Sequence, residues 1–210
     1  MINRIKHFYL NKYIVSPFSR RKYFISYCFK QKAIWFRNYK VATRTIDKHL
    51  KENSGPGEYI YSSSVGYLPA YYNDYFKFAF VRHPVDRFIS AWKDKVLNQN
   101  YFKFDKEKHK KMMTIRNFIE WVKEQNIEKC DEHIRAQYAL IDINNVDFIG
   151  RFETFEKDFA YLADKLGFPI DKSVKLNKSG EVDVEIDEQD KKSIKEIYKK
   201  DFFIFYPDSH

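Results

Sequence analysis

The sequence predicts an α/β fold, a parallel sheet flanked by helices on both faces, from three observations. Short apolar runs such as Ala33-Ile34-Trp35-Phe36 and Phe78-Ala79-Phe80-Val81 alternate along the chain with amphipathic segments of helical period. Both of those runs stop abruptly at basic, turn-forming residues that lead straight into a helix, Arg37-Asn38-Tyr39 in one case and Arg82-His83-Pro84 in the other. Finally, 210 residues with 44% hydrophobic content suffice for one substantial core and are too few for two comfortable domains, so 1–210 is expected to be a single domain.

The elements follow in chain order. Residues 1–31 are basic, without a clean apolar core or a small-residue cleavage site, and are taken as a helical N-terminal extension rather than a secretory signal. A strand is expected over 32–37, then a helix over 43–52 with Ile46, His49 and Leu50 on one side. Ser54-Gly55-Pro56-Gly57 is the clearest turn, and strands over 58–62 and 76–81 come after it. Pro84 suits the first turn of a helix over 84–97, because its missing N–H is not needed there; Phe88, Ile89 and Trp92 make the apolar side. Asn98 to Lys111 is polar and lysine-rich, an insertion over the site or a surface excursion. A helix over 114–125, a strand over 146–150 and helices over 154–166 and 187–201 complete the pattern, with Lys175 to Gly180 as a mobile loop before the last helix.

The strand-to-helix junctions carry the chemistry. Strand ends in open α/β sheets are where anionic ligands are usually held. Lys40-Val41-Ala42-Thr43-Arg44-Thr45 combines a helix start, a lysine and two hydroxyls, which makes a cradle for phosphate or sulfate. It is not a Walker loop: G-x-x-x-x-G-K-[ST] is absent, and no glycine precedes Gly55. Thr43 and Thr45 also suit helix capping, a role compatible with anion binding. Arg82, directly after four apolar residues, must find a counter-anion, and a planar guanidinium suits phosphate. Two separate basic sites fit a ligand with phosphates at both ends.

Composition narrows the alternatives. The formal charge of +9 matches a lysine-rich solvated surface and equally a field that attracts a polyanionic ligand. No helix-turn-helix spacing, RNP motif or zinc-finger pattern supports nucleic-acid binding. Cys28 and Cys130 are unpatterned and indicate neither a disulfide framework nor a metal site. No run approaches a transmembrane span, so the expected location is cytoplasmic, with membrane-surface contact allowed.

KVATRTI, at Lys40 to Ile46, resembles the 5′-phosphosulfate loop of the sulfotransferases that use 3′-phosphoadenosine 5′-phosphosulfate (PAPS). Phe80 to Trp92 is similar to their 3′-phosphate segment, whose arginine and serine are separated by seven intervening residues, as Arg82 and Ser90 are. Asp131-Glu132-His133 with Gln137, and Phe148 to Thr154, resemble segments of the family 2 carbohydrate sulfotransferases; the likeness runs in order from about Ala33 to Tyr206. The resemblance implies a P-loop-like three-layer fold and sulfuryl transfer from PAPS to a carbohydrate or glycolipid hydroxyl, with release of 3′,5′-bisphosphate (PAP) and no metal. It implies nucleotide contacts from Lys40, Val41, Ala42, Thr43, Arg44, Thr45, Arg82 and Ser90. Lys40 would stabilise the departing bisphosphate, and Arg44 would order the loop or its phosphates.

Two departures from the family pattern stand out. Tyr39 replaces a usual proline, and Tyr59 to Ser64 lacks a histidine that many members carry there. His133 thereby becomes the candidate base, histidine being the side chain whose intrinsic pKa lies near working pH, with Glu132 and Asp131 behind it. Arg37 is placed to meet the nucleotide or an acidic acceptor, and acceptor contacts are expected from Tyr61 to Asn73 and Asn98 to Met113. The rival readings are a small-molecule kinase, which needs a Walker loop and a magnesium-binding aspartate, and a non-catalytic PAP- or polyanion-binding protein.

Overall fold

The computed structural model describes residues 8–19, 21–170 and 186–208. Five strands, β1 (Tyr23–Cys28), β2 (Ala33–Phe36), β3 (Tyr59–Val65), β4 (Phe76–Val81) and β5 (Phe148–Arg151), form one sheet in the order β3-β1-β2-β4-β5. The helices are α1 (Thr43–Ser54), α2 (Pro84–Trp92), α3 (Lys106–Met112), α4 (Ile115–Lys123), α5 (Gln137–Leu140), α6 (Phe155–Leu166), α7 (Glu188–Ile197) and α8 (Lys199–Phe205).

The central strands are apolar along their length because both faces are covered. Alternate residues feed two cores. Ala33, Trp35, Phe78 and Phe80 pack with Ile46 and Leu50 of α1 and with Phe155, Phe159 and Leu162 of α6. Ile34, Phe36, Ala79 and Val81 face the opposite way, toward Phe88 of α2, Phe118 of α4, Ile194 of α7 and Phe202 of α8. The result is the three-layer arrangement of helices, sheet and helices. Gly150 in β5 is required by close packing, since a Cβ there would come within 2.4 Å of the Phe80 ring.

The expected α/β class holds, with one refinement to the sheet and one correction to the N-terminal segment. The sheet is not wholly parallel: β2–β4 and β4–β5 pair in parallel, with Phe36 opposite Ala79 and Val81 opposite Arg151, whereas β1 runs antiparallel to both β2 and β3. The 1–31 segment is not simply a helical extension either. Residues 8–18 are helical, but Tyr23–Cys28 forms β1, inside the sheet and buried at every position. Its aromatic and β-branched run, Tyr-Phe-Ile-Ser-Tyr-Cys, carries no helical period, and a strand covered on both faces explains that composition.

Smaller differences have local causes. The helix from Pro84 passes into a π-helical stretch at Lys93–Leu97, and the expected 187–201 helix breaks at Tyr198, where ψ is 24°. Part of the polar stretch after Asn98 forms α3, capped by the Asp105 carboxylate on the Lys108 amide. The Lys175 to Gly180 loop lies outside the described residues.

The topology decides where a ligand goes. From β2 the chain moves through α1 to β3, on one side of the sheet; after β4 it proceeds to β5 on the other. The carboxyl ends of β2 and β4 therefore flank a switch point, the place where open α/β sheets leave a crevice.

Candidate active site

A cavity of about 430 Å³ opens at that switch point, lined among others by Lys40, Thr43, Arg82, Ser90, Asp94 and His133. Residues 37–45 reach it from the end of β2, Arg82 from the end of β4, and Phe152 from the end of β5. Ala42, Arg44 and Thr45 also line it, so all the sequence-predicted site residues meet here except one. That exception is Val41, whose side chain is fully buried in the core beneath the loop, leaving only its backbone for a ligand. The reason is the helix approach: Val41 anchors α1 alongside Ile46 and Leu50.

The Lys40 loop is bent tightly. Lys40 and Ala42 have φ of 68° and 63°, the left-handed region where side chains are rare, in a loop that carries no glycine. Thr43 Oγ1 donates to the Asn38 carbonyl at 2.8 Å and braces the turn. The first helical bonds run from the Thr45 and Ile46 amides to the Ala42 carbonyl. The Thr43 and Arg44 amides thus precede the intrahelical ladder, as helix-start amides do, and both residues line the cavity.

Electrostatics favour an anion. Five cationic side chains (Arg37, Lys40, Arg44, Arg82, Lys95) line the cavity against one carboxylate, Asp94. Lys40 Nζ meets Asp94 Oδ2 at 3.1 Å, and Lys95 Nζ meets the same oxygen at 3.2 Å. Burial pushes the Lys40 ammonium below its ordinary value, with Asp94 opposing the shift. Burial also pushes Asp94 up, but the bonds and charges of Lys40 and Lys95 outweigh it and its carboxyl ends lower than usual.

Arg82 is more conspicuous. Burial lowers the pKa of its guanidinium, Asp86 and Glu153 opposing through their charges. Nη1 makes one long bond, 3.3 Å, to the Lys40 carbonyl; the group lies 4.3 Å from the Phe152 ring centroid, and Nε is buried with no hydrogen-bond partner. A buried donor without an acceptor is costly, and the half-buried guanidinium as a whole lines the cavity, where an anionic oxygen would pair with its charge.

The third component is the Asp131-Glu132-His133 loop. His133 Nδ1 lies 2.9 Å from Asp131 Oδ1, and its ring packs between Tyr39 and Tyr101 at centroid distances of 4.8 and 4.9 Å. Burial raises the Asp131 carboxyl, but bonds from His133 bring it below the ordinary value, so it is ionised at neutral pH. An ionised Asp131 accepting from Nδ1–H fixes the tautomer that leaves Nε2 as a proton acceptor.

Two side chains tie the three components together. Gln137 Oε1 accepts from Asn38 Nδ2 at 2.7 Å and from the Arg82 amide at 3.0 Å, while its Nε2 donates to the Arg82 carbonyl at 2.8 Å. Buried Arg87 donates to the carbonyls of Tyr39, Arg135 and Glu132 at 3.0, 2.8 and 3.0 Å. Glu153 accepts from the His83 amide at 2.6 Å and from the Tyr206 hydroxyl at 2.9 Å, which holds the turn after Arg82.

Sequence reasoning missed Asp94, Lys95 and Phe152 as lining residues, whereas Asn98 opens the stretch expected to contact the acceptor. A signal for Asp94 was present, because it stands four residues after Ser90, the spacing of one helix face.

A sulfotransferase family model matches residues 21–207. The chain belongs to the sulfotransferase family. Among curated proteins it is similar to carbohydrate sulfotransferase 14 of Danio rerio, 29% identical over 114 residues, a match covering 45% of this chain and 31% of that relative. The match to this sulfotransferase thus spans about a third of the relative's length. No solved structure matches. No helix among the described residues is long and apolar enough to cross a membrane.

Proposed function

We propose that the protein transfers a sulfuryl group from PAPS to a carbohydrate hydroxyl. The observation that carries the proposal is the half-buried Arg82 guanidinium, which has no carboxylate at ion-pair distance among the described residues, sharing one cavity with Lys40, the α1 start and His133. PAPS carries about four negative charges, with phosphates at two places, and five cations around about 430 Å³ suit such a ligand in charge and size. The donor set therefore fits the co-substrate. The likeness to carbohydrate sulfotransferase 14 supports a carbohydrate as the acceptor.

Arg82 and Ser90 would hold the 3′-phosphate, and Lys40, Thr45 and the amides of Thr43 and Arg44 the 5′ end. Thr43 Oγ1, which spends its proton on Asn38, serves the loop's shape rather than donating to the ligand. PAPS supplies an activated sulfuryl group. His133 Nε2 takes the acceptor hydroxyl's proton as that oxygen bonds to sulfur, and Asp131 stabilises the imidazolium that results. As the bond from sulfur to the phosphate oxygen breaks, Lys40 meets the charge appearing on that oxygen. Arg87 and Gln137 supply the alignment that makes attack in line. The cytoplasmic assignment remains part of the proposal.

Incubation with sulfur-labelled PAPS and a panel of polysaccharides and glycolipids tests the reading directly. Labelled glycan with release of PAP is the expected result. Phosphate transfer from ATP in place of sulfate would instead favour a kinase, and PAP binding without turnover on any acceptor a binding protein.

A further inference from the structure

Helical residues 8–18, with a π-helical stretch at Asn11–Val15, are fastened to the domain along one side. Phe8 is buried against Tyr27, ring centroids 5.4 Å apart. Asn11 donates to the Tyr72 hydroxyl at 2.9 Å and accepts from the Leu68 amide at 3.1 Å, and Ser16 Oγ accepts from the Gly66 amide at 3.0 Å. The other side faces solvent and is strongly apolar: Tyr9, Tyr13, Ile14 and Phe18 are 51, 62, 58 and 86% exposed. Leu68 and Tyr71, on the segment that Asn11 holds, extend the exposed apolar surface.

The charged residues on this helix and just beyond it are basic. Lys12 lies within the patch, its ammonium 5.3 Å from the Tyr13 ring centroid. Exposed Lys22 precedes Tyr23, which pairs with Val65 next to the Gly66 amide that Ser16 holds. No Asp or Glu precedes Asp47 in the sequence, and Asp74, near Tyr71, is paired with Lys32 at 2.7 Å.

We propose that this helix and the Leu68–Tyr71 segment dock the protein on the surface of an anionic lipid bilayer. Apolar side chains this exposed, grouped on adjoining elements, mark an interaction surface. Tyrosine, with an apolar ring and a polar tip, suits the boundary between headgroups and acyl chains, and lysines beside it are drawn to anionic lipid. A second copy is disfavoured because two-fold pairing would bring two patches of the same positive sign face to face. A protein partner is disfavoured by lysine within the patch, since protein interfaces are depleted in it. The proposal is independent of the chemistry assigned to the cavity.

The test is sedimentation of the full chain with vesicles of phosphatidylcholine alone or with phosphatidylserine added. Binding to the anionic vesicles only, weakening as salt rises, is expected. Tyr13→Ser and Phe18→Ser should each weaken it about tenfold, and Lys12→Gln and Lys22→Gln about fivefold each. Unchanged circular dichroism and melting would show that these exposed substitutions leave the fold intact. Equal binding to both vesicle types, binding that survives all four substitutions, or no binding would overturn the proposal. So would a dimer in vesicle-free solution that Phe18→Ser dissociates, because the patch would then belong to a second copy.

Discussion

Arg82 offers the sharpest separation of function from stability. Its guanidinium is desolvated, pairs with no carboxylate at ion-pair distance among the described residues, and has its Nε without a partner. The protein thus holds a cation whose natural partner is absent from the fold. Replacing it in Arg82→Met keeps an apolar stem over the Phe152 ring while removing the charge. A charge-assisted contact to the 3′-phosphate is worth about 2–3 kcal/mol, so PAP affinity should fall about 30- to 150-fold. AMP, which lacks that phosphate, should bind the variant and the parent within a few-fold of each other. Folding stability should change by no more than about 1 kcal/mol, because the desolvation of a half-buried charge is relieved while a long bond to the Lys40 carbonyl and the cation's contact with the Phe152 ring are lost. Calorimetric titration of both nucleotides and urea unfolding of both proteins read these quantities. Equal affinity of the parent for PAP and AMP, or undiminished PAP binding by Arg82→Met, would refute the assignment. A loss of more than about 2 kcal/mol in stability would make Arg82 a structural residue instead.

Lys40→Ala should lower kcat far more than it weakens PAP binding, since the charge it meets develops as sulfate leaves; comparing steady-state rates with PAP titration checks this, and a loss confined to binding would contradict it. His133→Ala should cut kcat by about 10²- to 10⁴-fold with PAP affinity nearly unchanged and erase the low-pH limb of the rate profile; a variant at full rate would move the base to Glu132 or Asp131. Burial pushes the Asp201 carboxyl up to about 6, beyond the pull of its bonds from the Gln137 and Tyr138 amides. Between 3.8 and about 6 the folded chain therefore binds more protons than the unfolded one, and this carboxyl's contribution to stability falls as pH rises. Asp201→Asn cannot titrate, so its stability deficit relative to the parent should shrink across that window in urea melts; a deficit that grows would reverse the sign.

The junctions were legible in the sequence, and their surroundings were not. Arg82 stands out because a charge directly after an apolar strand run must find a counter-anion, and Lys40 because it joins two hydroxyls at a helix start. Ser90 was found only through its spacing to Arg82, and Asp94 was passed over although it lies four residues further along the same face. β1 is masked in the sequence because its six buried residues lie inside a basic segment flanked by lysines and arginines. Its reversed direction, and with it the mixed sheet, depends on pairing between distant segments, which local periodicity does not encode. Val41 was included because a motif names consecutive residues, whereas a helix start alternates them between ligand and core.

The binding geometry is held from outside the cavity. Nothing in the Lys40 loop is glycine, so its left-handed turns at Lys40 and Ala42 persist only because the neighbours over-determine them. Asn38 is clamped by Gln137, Tyr39 by Arg87, and Thr43 closes back on Asn38. Gln137 also grips both backbone atoms of Arg82, and Arg87 both ends of the loop around His133. Two side chains that line no part of the cavity thereby set three elements from β2, β4 and the segment before β5 in one frame. Arg87 achieves this fully buried, with three carbonyls in place of a carboxylate, so its charge is spent on alignment and does not compete with Lys40 or Arg82 for an anion. A tyrosine in place of the family's proline before Lys40 is tolerable for the same reason. The carbonyl that Arg87 grips belongs to Tyr39 itself, and the restraint a proline ring would give comes from a hydrogen bond instead.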